Sequence, residues 1–463
     1  MTPPAPTAAR HASHWLRDAD GAAGPPLTGR HLADVVIVGG GFTGLWTALS
    51  LTEREPGRRV VLLEAERVGH GASGRNGGFV EPSLTHGIAN ARRHFPDEVA
   101  ELTRLGHENL HGLLADAARF GVADAVERTG LLEVATAPWQ VDELAEAAAL
   151  HAEVKEHAEL LGADAVRAEV DSPTYLGGLH LPDGGALVDP GRLVRALAAE
   201  AMRRGVQVCE GSPVVGFTPA GPDVVVRTPQ GQVLAGAAVL ATNAYSHRVL
   251  RRTARHFVPV HDYVLLTAPL NAEQLARIGW RRRQGIADAG NQFHYYRLTA
   301  DDRILWGGYD AVYRFGNGVG PRFDHRRATY DLLARHFRAT FPQLADVRFE
   351  RWWGGPIATT TRFTVTFGDA LGGRVHYALG YTGLGVAATR FAGRVLADRL
   401  TAADSPLLRL AFTSTSPVPF PPEPLRWVGV QATRSAMARA DRRGGRRGSW
   451  LALLDRFGIG FDS

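Results

Sequence analysis

A strand, a glycine-rich turn, a helix and a terminal acid follow one another near the start of the chain. The apolar run Val35–Val38 ends in the pattern Gly-x-Gly-x-x-Gly, formed by Gly39, Gly41 and Gly44. A second apolar run ends at Glu64. Such glycines allow a tight turn and close backbone approach to a pyrophosphate, whose charge the helix N-terminus stabilises. An acid at the end of the second strand can accept hydrogen bonds from ribose hydroxyls. The pattern predicts a dinucleotide site rather than an ordinary glycine-rich turn.

A second glycine-rich segment, residues 68–79, follows the acid directly. Its glycine density permits the backbone to lie close to a ligand. Within it, Ser73, Arg75 and Asn76 offer hydrogen bonds to an anion or a polar ring. We therefore expect this segment to line the same site as the first turn.

Composition places the chain among globular proteins, with 45% hydrophobic and 21% charged residues. Its 463 residues exceed one compact core, so we expect two domains. The net charge of +5 is spread along the chain apart from Arg439–Arg447, which we interpret as a solvated tail rather than a nucleic-acid contact. The single cysteine, Cys209, favours a reducing compartment. With neither a signal-peptide pattern nor an apolar run of membrane-spanning length, we expect a cytoplasmic protein that binds no membrane.

The remaining elements follow from hydrophobic periodicity and turn residues. Amphipathic patterns predict helices over 97–120, 140–161 and 191–204, and another that carries Tyr330 to Phe341. Apolar runs predict strands at 206–209, 214–217, 224–227 and 237–241, and residues 292–308 predict a β-hairpin. A strand at 375–379, a glycine-rich turn and a helix to about residue 400 aim a second helix N-terminus at the site. We expect the proline-rich stretch 413–425 to wrap the surface.

Taken together, these motifs resemble the FAD-dependent D-amino-acid oxidase superfamily. The resemblance rests on the N-terminal pattern, on Gly-Ala-Ser-Gly-Arg-Asn-Gly-Gly at 71–78, on Leu-Val-Asp-Pro-Gly-Arg-Leu-Val from 187, on Ala-Thr-Asn-Ala-Tyr from 241 and on Gly-Tyr-Thr-Gly-Leu-Gly at 380–385. It covers roughly residues 30–400 and is nearest to the γ-glutamylputrescine oxidase and glycine/sarcosine oxidase-like branch.

The resemblance implies an α/β fold in which a Rossmann-type FAD-binding domain is interleaved with an antiparallel-sheet substrate domain. The implied FAD domain comprises residues 31–95, 165–255 and 350–405, and the substrate domain comprises 96–164 and 256–349. An N-terminal arm (1–30) and a C-terminal tail (406–463) complete the chain.

The resemblance also implies which residues bind FAD. We expect the cofactor to contact Gly39, Gly41, Phe42, Thr43, Gly44, Glu64, Ala65, Gly71, Ala72, Ser73, Arg75, Asn76, Gly77, Gly78, Val214, Thr242, Asn243, Gly355, Gly380, Gly383, Leu384, Gly385 and Val386. The turn around Gly41 would hold the pyrophosphate, Glu64 the ribose, Val214 the adenine, and Gly383–Val386 the flavin pyrimidine edge. Neither His70 nor Cys209 matches the attachment sites of relatives with covalent flavin, so we expect noncovalent FAD.

The chemistry implied is oxidation of a C–N bond. A hydride passes from the carbon beside the nitrogen of an amine or amino acid to flavin N5, the imine hydrolyses, and O₂ is reduced to H₂O₂. The cofactor carries the difficult step, so the protein must orient the carbon and keep the amine unprotonated. This requires no dedicated base, in keeping with a sequence that shows no obvious Ser-His-Asp or paired-carboxylate arrangement.

Four residues are candidates for the substrate site. Arg297 could clamp a substrate carboxylate, or could instead pair with Asp301 or Asp302 across the hairpin turn. Strand alternation sends Tyr295 and Arg297 to one face and Tyr296 to the other; we choose Tyr296 as the catalytic tyrosine. The others, Trp353 and His261, could border the flavin or serve only as core residues.

Three alternatives remain open. A dehydrogenase would pass its electrons to an acceptor other than O₂, and the only lysine, Lys155, lies on an expected solvated helix, so a lysine that promotes oxygen reduction is not expected. A flavin monooxygenase shares the first motif. The sequence His107-Glu108-Asn109-Leu110-His111 also fits His-Glu-x-x-His of zinc peptidases, although Gly106 and Gly112 weaken a helix there and we expect no metal.

Overall fold

The structure, a computed structural model, describes residues 13–17, 24–401 and 404–459. Its strands are β1 (Gly29–Val38), β2 (Val60–Leu63), β3 (Phe79–Val80), β4 (Val126–Glu127), β5 (Leu131–Ala135), β6 (Glu159–Gly162), β7 (Gly177–Leu181), β8 (Ala186–Val188), β9 (Gln207–Cys209), β10 (Gly216–Ala220), β11 (Asp223–Arg227), β12 (Gly231–Leu240), β13 (Val258–Thr267), β14 (Gly285–Asp288), β15 (His294–Leu298), β16 (Ile304–Gly308), β17 (Val312–Tyr313), β18 (Phe349–Thr359), β19 (Thr366–Ala370) and β20 (Val375–Leu379).

The α-helices of the described residues are α1 (Phe42–Arg54), α2 (Ile88–His94), α3 (Val99–Arg119), α4 (Pro138–Glu153), α5 (Ala163–Glu169), α6 (Pro190–Arg203), α7 (Ser246–Val249), α8 (Ala272–Ile278), α9 (Arg327–Thr340), α10 (Gly385–Leu400), α11 (Pro406–Arg409), α12 (Ala411–Ser414), α13 (Leu425–Arg442) and α14 (Ser449–Arg456). The predicted α/β fold class is confirmed by this mixture of sheets and helices.

The first sheet has a parallel core in the order β9-β2-β1-β12-β20. Strands β10, β11 and β19 extend it in the antiparallel sense. Val35, Val36 and Ile37 are completely buried because helices cover both faces of a parallel sheet. On one face α1 packs against α6 and α10. The carboxyl ends of β1, β2 and β12 meet at one edge, where doubly wound sheets bind their ligands.

The second sheet is nine-stranded and almost entirely antiparallel. Its longest pair, β13 and β18, runs in register over most of its length, and β14 with β5 is its parallel pair. Helix α9 covers the back of this sheet with Tyr330, Leu333 and Phe337, whose spacing places them on one helix face. The front of the sheet faces the ligand edge of the first sheet.

Two further units complete the site. The small sheet of β3, β8 and β4 links the second glycine-rich segment to the large antiparallel sheet. Helices α13 and α14 pack against each other near the end of the chain. The polar contacts of α13 join it to the substrate-side loops around residues 291 and 310.

Some predicted boundaries differ from the observed elements. The helix predicted over 140–161 ends at Glu153, because Lys155 adopts a left-handed backbone conformation and β6 begins at Glu159. The strand predicted at 214–217 begins at Gly216. The predicted domain boundaries place β7 and β18 in the FAD domain, whereas both strands pair within the nine-stranded sheet.

Candidate active site

The turn between β1 and α1 has the geometry that the glycine pattern predicts. Gly39 has a φ of +114°, a conformation that side-chain-bearing residues rarely adopt. A Cβ on Gly44 would lie 2.0 Å from the carbonyl oxygen of Gly39, so only glycine lets the helix approach the strand. Helix α1 begins at Phe42, and its first N–H groups point away from the helix without intrahelical partners.

Glu64 closes this turn from the end of β2. Its Oε2 accepts a hydrogen bond from the Gly40 N–H at 2.7 Å, and its Oε1 accepts one from the Glu66 N–H at 3.0 Å. Burial raises the pKa of Glu64, while these backbone hydrogen bonds oppose the rise. The predicted ribose-binding acid is therefore held beside the glycine turn by the backbone on both sides.

The second glycine-rich segment packs onto the start of α1. The Oγ of Ser73 accepts a hydrogen bond from the Phe42 N–H at 2.9 Å and so caps the helix. Asn76 folds back on its own turn, donating to the carbonyl oxygens of Ala72 and Ser73 and accepting from the Gly78 N–H. Both side chains thus shape the segment, which leaves its backbone to face a ligand.

Arg75 joins the two halves of the molecule. Its Nη1 donates to Asp324 Oδ2 at 2.6 Å and to the carbonyl oxygen of Gly354 at 2.9 Å. Its Nε donates to the carbonyl oxygen of His70. The side chains of both Arg75 and Asp324 are mostly buried. The guanidinium predicted to bind an anionic ligand therefore already pairs with a protein carboxylate.

The later segments of the first sheet converge on the same place. Asn243, at a φ of +41°, accepts a hydrogen bond from the Gly380 N–H at 2.9 Å and ties the end of β12 to the turn after β20. Gly383 has a φ of +102°, and α10 begins at Gly385. A second helix N-terminus thus faces the cavity, as the sequence predicts.

One continuous cavity of about 2530 Å³ lies between the two large sheets. All predicted FAD contacts line it except Gly44 and Gly380. These two glycines lie behind the residues that line the cavity and allow close packing there. A Cβ on Gly380 would lie 2.2 Å from Thr360 Cγ2. The lining fits a dinucleotide, because glycine turns, two helix N-termini and the buried acid Glu64 lie along one wall.

Two of the four predicted substrate-site residues line this cavity. Trp353 lies on β18, is buried, and donates from Nε1 to the carbonyl oxygen of Arg75 at 2.8 Å. His261 lies on β13 with neither ring nitrogen in a hydrogen bond, and burial lowers its pKa to about 4. The imidazole is therefore neutral at physiological pH.

The structure does not bring the other two predicted residues, Arg297 and Tyr296, to the cavity lining. Arg297 is buried outside the cavity, where Nη2 donates to Glu127 Oε1 at 3.0 Å and Nη1 donates to the Val188 carbonyl oxygen at 2.8 Å. Both partners belong to the small sheet, which holds the guanidinium away from the cavity. Arg297 does not form the alternative pair across the hairpin turn either, since Asp301 pairs with Arg303 and Asp302 with Arg283.

Tyr296 likewise points into the core behind the sheet. Its hydroxyl contacts that of Tyr175 at 2.8 Å and donates to Asp288 at 3.2 Å. Its neighbour Tyr295 lines the cavity instead and donates its hydroxyl hydrogen to Asp262. A Cβ on Gly77 would lie 2.7 Å from the Tyr295 ring, so this tyrosine lies directly against the second glycine-rich segment.

The acidic groups of the cavity are not among the residues predicted from the sequence. Glu81 and Glu133 both line it, and their side chains have no ion-pair partner within residues 13–17, 24–401 and 404–459. Register places Glu133 on β5 beside Ala287 of β14, which pairs with Tyr295 of β15. Burial raises the pKa of both glutamates to about 7 and that of Asp262 to about 6. Strand alternation in the sequence could have indicated that Tyr295 faces the cavity. Glu133 comes near Tyr295 only through the order of the strands in the folded sheet.

The His-Glu-x-x-His segment lies on α3 without a metal-binding arrangement. His107 Nε2 pairs with Glu156 Oε1, and His111 is exposed. No group of three or more His, Cys, Asp or Glu side chains that could hold a metal occurs in the part of the chain that the structure describes. None of the helices described there is long and apolar enough to cross a membrane.

Comparison with known proteins assigns the family. Residues 34–399 match the family described as DAO, FAD dependent oxidoreductase. The chain belongs to this family. Its cofactor is therefore FAD, and the protein is an FAD-dependent oxidoreductase.

Relatives and solved structures agree with the assignment. The gamma-glutamylputrescine oxidoreductase of Escherichia coli is 35% identical over 371 residues, which cover 79% of this chain and 83% of that protein. The probable oxidoreductase OrdL of Haemophilus influenzae is 30% identical over 396 residues, covering 83% and 86%. The glycine oxidase of Geobacillus kaustophilus has the same fold, with a TM-score of 0.69 at 20% identity, covering 83% of this chain and 99% of that one.

Proposed function

We propose that this DAO-family enzyme oxidises the C–N bond of an amine or amino acid and that O₂ takes the electrons to form H₂O₂. The observation that carries the proposal is the cavity wall formed by Tyr295, Asp262 and Glu133, on which the Tyr295 ring lies against Gly77 of the second glycine-rich segment. No Arg or Lys side chain of the described residues pairs with Asp262 or Glu133, so this wall suits a substrate that arrives as an ammonium ion. The 35% identical relative is named for an amine substrate, which supports the same class.

The residues predicted to bind FAD fit that cofactor. The turn at Gly39 and Gly41 and the start of α1 would hold the pyrophosphate, Glu64 the ribose and Val214 the adenine. The start of α10 would lie by the flavin pyrimidine edge. When bound, FAD supplies the acceptor for a hydride from the carbon beside the substrate nitrogen. Noncovalent binding remains our proposal, because neither His70 nor Cys209 matches a known attachment sequence.

The side chains of the wall would prepare the amine for oxidation. The Tyr295 hydroxyl donates its hydrogen to Asp262, which leaves its oxygen lone pairs free to accept an N–H from the substrate. Glu81 and Glu133, with pKa values raised to about 7, can accept the ammonium proton at their carboxylate oxygens near neutral pH. Trp353 and the neutral His261 would add packing surface rather than charge.

Anaerobic mixing with a panel of amines and amino acids tests the proposal. We expect bleaching of the flavin by at least one amine without NADPH, and rapid return of the colour when O₂ is admitted. Bleaching that requires NADPH would identify a monooxygenase. Slow reoxidation by O₂ together with fast turnover on an artificial acceptor would identify a dehydrogenase. Protein precipitated by acid should release its FAD. We also propose a cytoplasmic location, supported by the single buried cysteine Cys209.

A further inference from the structure

The C-terminal helices form part of the cavity rather than a separate tail. We call Leu425, Val428, Val430, Met437 and Trp450 the C-terminal roof, because all five residues line the cavity. The family match ends at residue 399, whereas the roof begins at residue 425. The roof is therefore a part of this cavity that the shared family core does not supply.

Polar contacts fix the roof to the substrate-side loops. Asp441 accepts hydrogen bonds from Asn291 Nδ2 at 2.6 Å and from the Gln292 N–H at 3.1 Å. Arg434 pairs with Asp310. These contacts hold the middle and the end of α13 against the loops around residues 291 and 310. They fix the position of α13 beside the cavity.

The roof presents apolar side chains to an open part of the cavity. Leu425 and Val428 are 64% and 54% exposed, although both line the cavity. Large apolar side chains exposed together at a ligand cavity are costly in water and are typical of a surface that a ligand covers. Two arginines of α13, Arg426 and Arg434, also line the cavity, where Arg426 donates to the Pro421 carbonyl oxygen and Arg434 pairs with Asp310.

Two parts of the cavity therefore differ in polarity. Glu81 and Glu133 lie on the sheet side without ion-pair partners among the described residues, and the roof is apolar. Resting on the proposed function, we propose that the enzyme is selective for extended amines: the carboxylates attract the cationic nitrogen, and the C-terminal roof binds the apolar, non-reacting part of the substrate.

Binding of unreactive cations to the FAD-loaded enzyme tests this directly. Alkyltrimethylammonium ions lack an N–H and cannot form a neutral imine, so calorimetric titration measures their binding without turnover. We expect the affinity to rise about fourfold for each added methylene that reaches the roof. The substitution Leu425→Ala should weaken the longer ions about threefold to tenfold and leave the shortest ion unaffected.

A matched leucine provides the control. Leu453 is also exposed, at 44%, but does not line the cavity, so Leu453→Ala should behave as the parent enzyme. The proposal would be overturned if the affinity did not depend on the chain length of the cation. It would also be overturned if Leu425→Ala and Leu453→Ala reduced that dependence equally. If the parent enzyme self-associates in sedimentation and Leu425→Ala abolishes that association without changing the cation affinity, the proposal would also be overturned and the roof assigned to contact with a second copy of this chain. Flavin bleaching by an amine in parallel would show that the proposed function survives such a failure, whereas no bleaching by any amine would refute that function separately.

Discussion

Replacing Arg297 by methionine distinguishes a structural cation from a substrate clamp. The guanidinium donates to Glu127 and to the carbonyl oxygens of Val188 and Leu298, and all of these contacts lie outside the cavity. Burial lowers the pKa of Arg297 to about 10, which reflects the desolvation of its charge. Breaking a buried ion pair costs about 3–5 kcal/mol. Glu127 keeps Arg283 as a second partner, so we expect a loss near the lower limit, about 3 kcal/mol.

Urea unfolding of the FAD-loaded enzyme, followed by tryptophan fluorescence, measures that loss. Arg283→Met serves as the control, because its side chain is 29% exposed and its removal should cost only about 1 kcal/mol. Flavin bleaching by neutral and anionic amines should proceed at parental rates in folded Arg297→Met. Unchanged stability combined with a raised KM for anionic amines alone would refute this account and restore the substrate clamp.

Four further changes test individual contacts. Gly41→Val should yield colourless protein without FAD, because the added Cβ would lie 2.9 Å from Ser73 Oγ; absorbance of the purified variant checks this. Ser73→Ala removes the cap of α1 and should weaken FAD binding about fivefold in a titration of the apoenzyme. Binding of a quaternary ammonium ion should strengthen as the pH rises through about 7, because Glu81 and Glu133 are protonated below their raised pKa values and ionised above them; Glu81→Gln combined with Glu133→Gln should flatten that profile. Lys155→Met should leave the rate of reoxidation by O₂ unchanged in stopped-flow mixing, and a large decrease would contradict our view of this exposed side chain.

Local sequence signals predicted the framework of the first sheet. Apolar runs and their glycine turns predicted β1, α1 and β2, because a dinucleotide turn is specified within about thirty residues. Hydrophobic periodicity likewise predicted α6, α9 and α10 within one or two residues where boundaries were given. These elements are encoded locally, so their identification needs no knowledge of distant partners.

The partners of buried polar side chains depend on distant parts of the chain. Arg297 pairs with Glu127, 170 residues away, and with the carbonyl oxygen of Val188, 109 residues away. Only the order of strands in the folded sheet places these groups together, so the sequence could not decide between a clamp and a structural pair. The same reason explains Glu133, which comes near Tyr295 through the pairing of β5, β14 and β15.

The C-terminal segment differs from its prediction in another way, because one side of it lies against the cavity. Its prolines and arginines predict a surface segment and a solvated tail, and Arg442, Arg443 and Arg446 are indeed exposed. The inner face of α13 nevertheless carries Val430 and Met437 toward the cavity. Composition describes the solvent side of such a helix and gives no information about which surface its other side covers.

The oxidation of a C–N bond is tested most directly by a single turnover with a deuterated amine. An amine that bleaches the flavin is mixed anaerobically with the enzyme, once with hydrogen and once with deuterium on the carbon beside the nitrogen. We expect slower bleaching with deuterium, no requirement for NADPH, and one carbonyl product for each flavin reduced. Bleaching only with NADPH, or turnover that leaves the C–N bond intact, would contradict it.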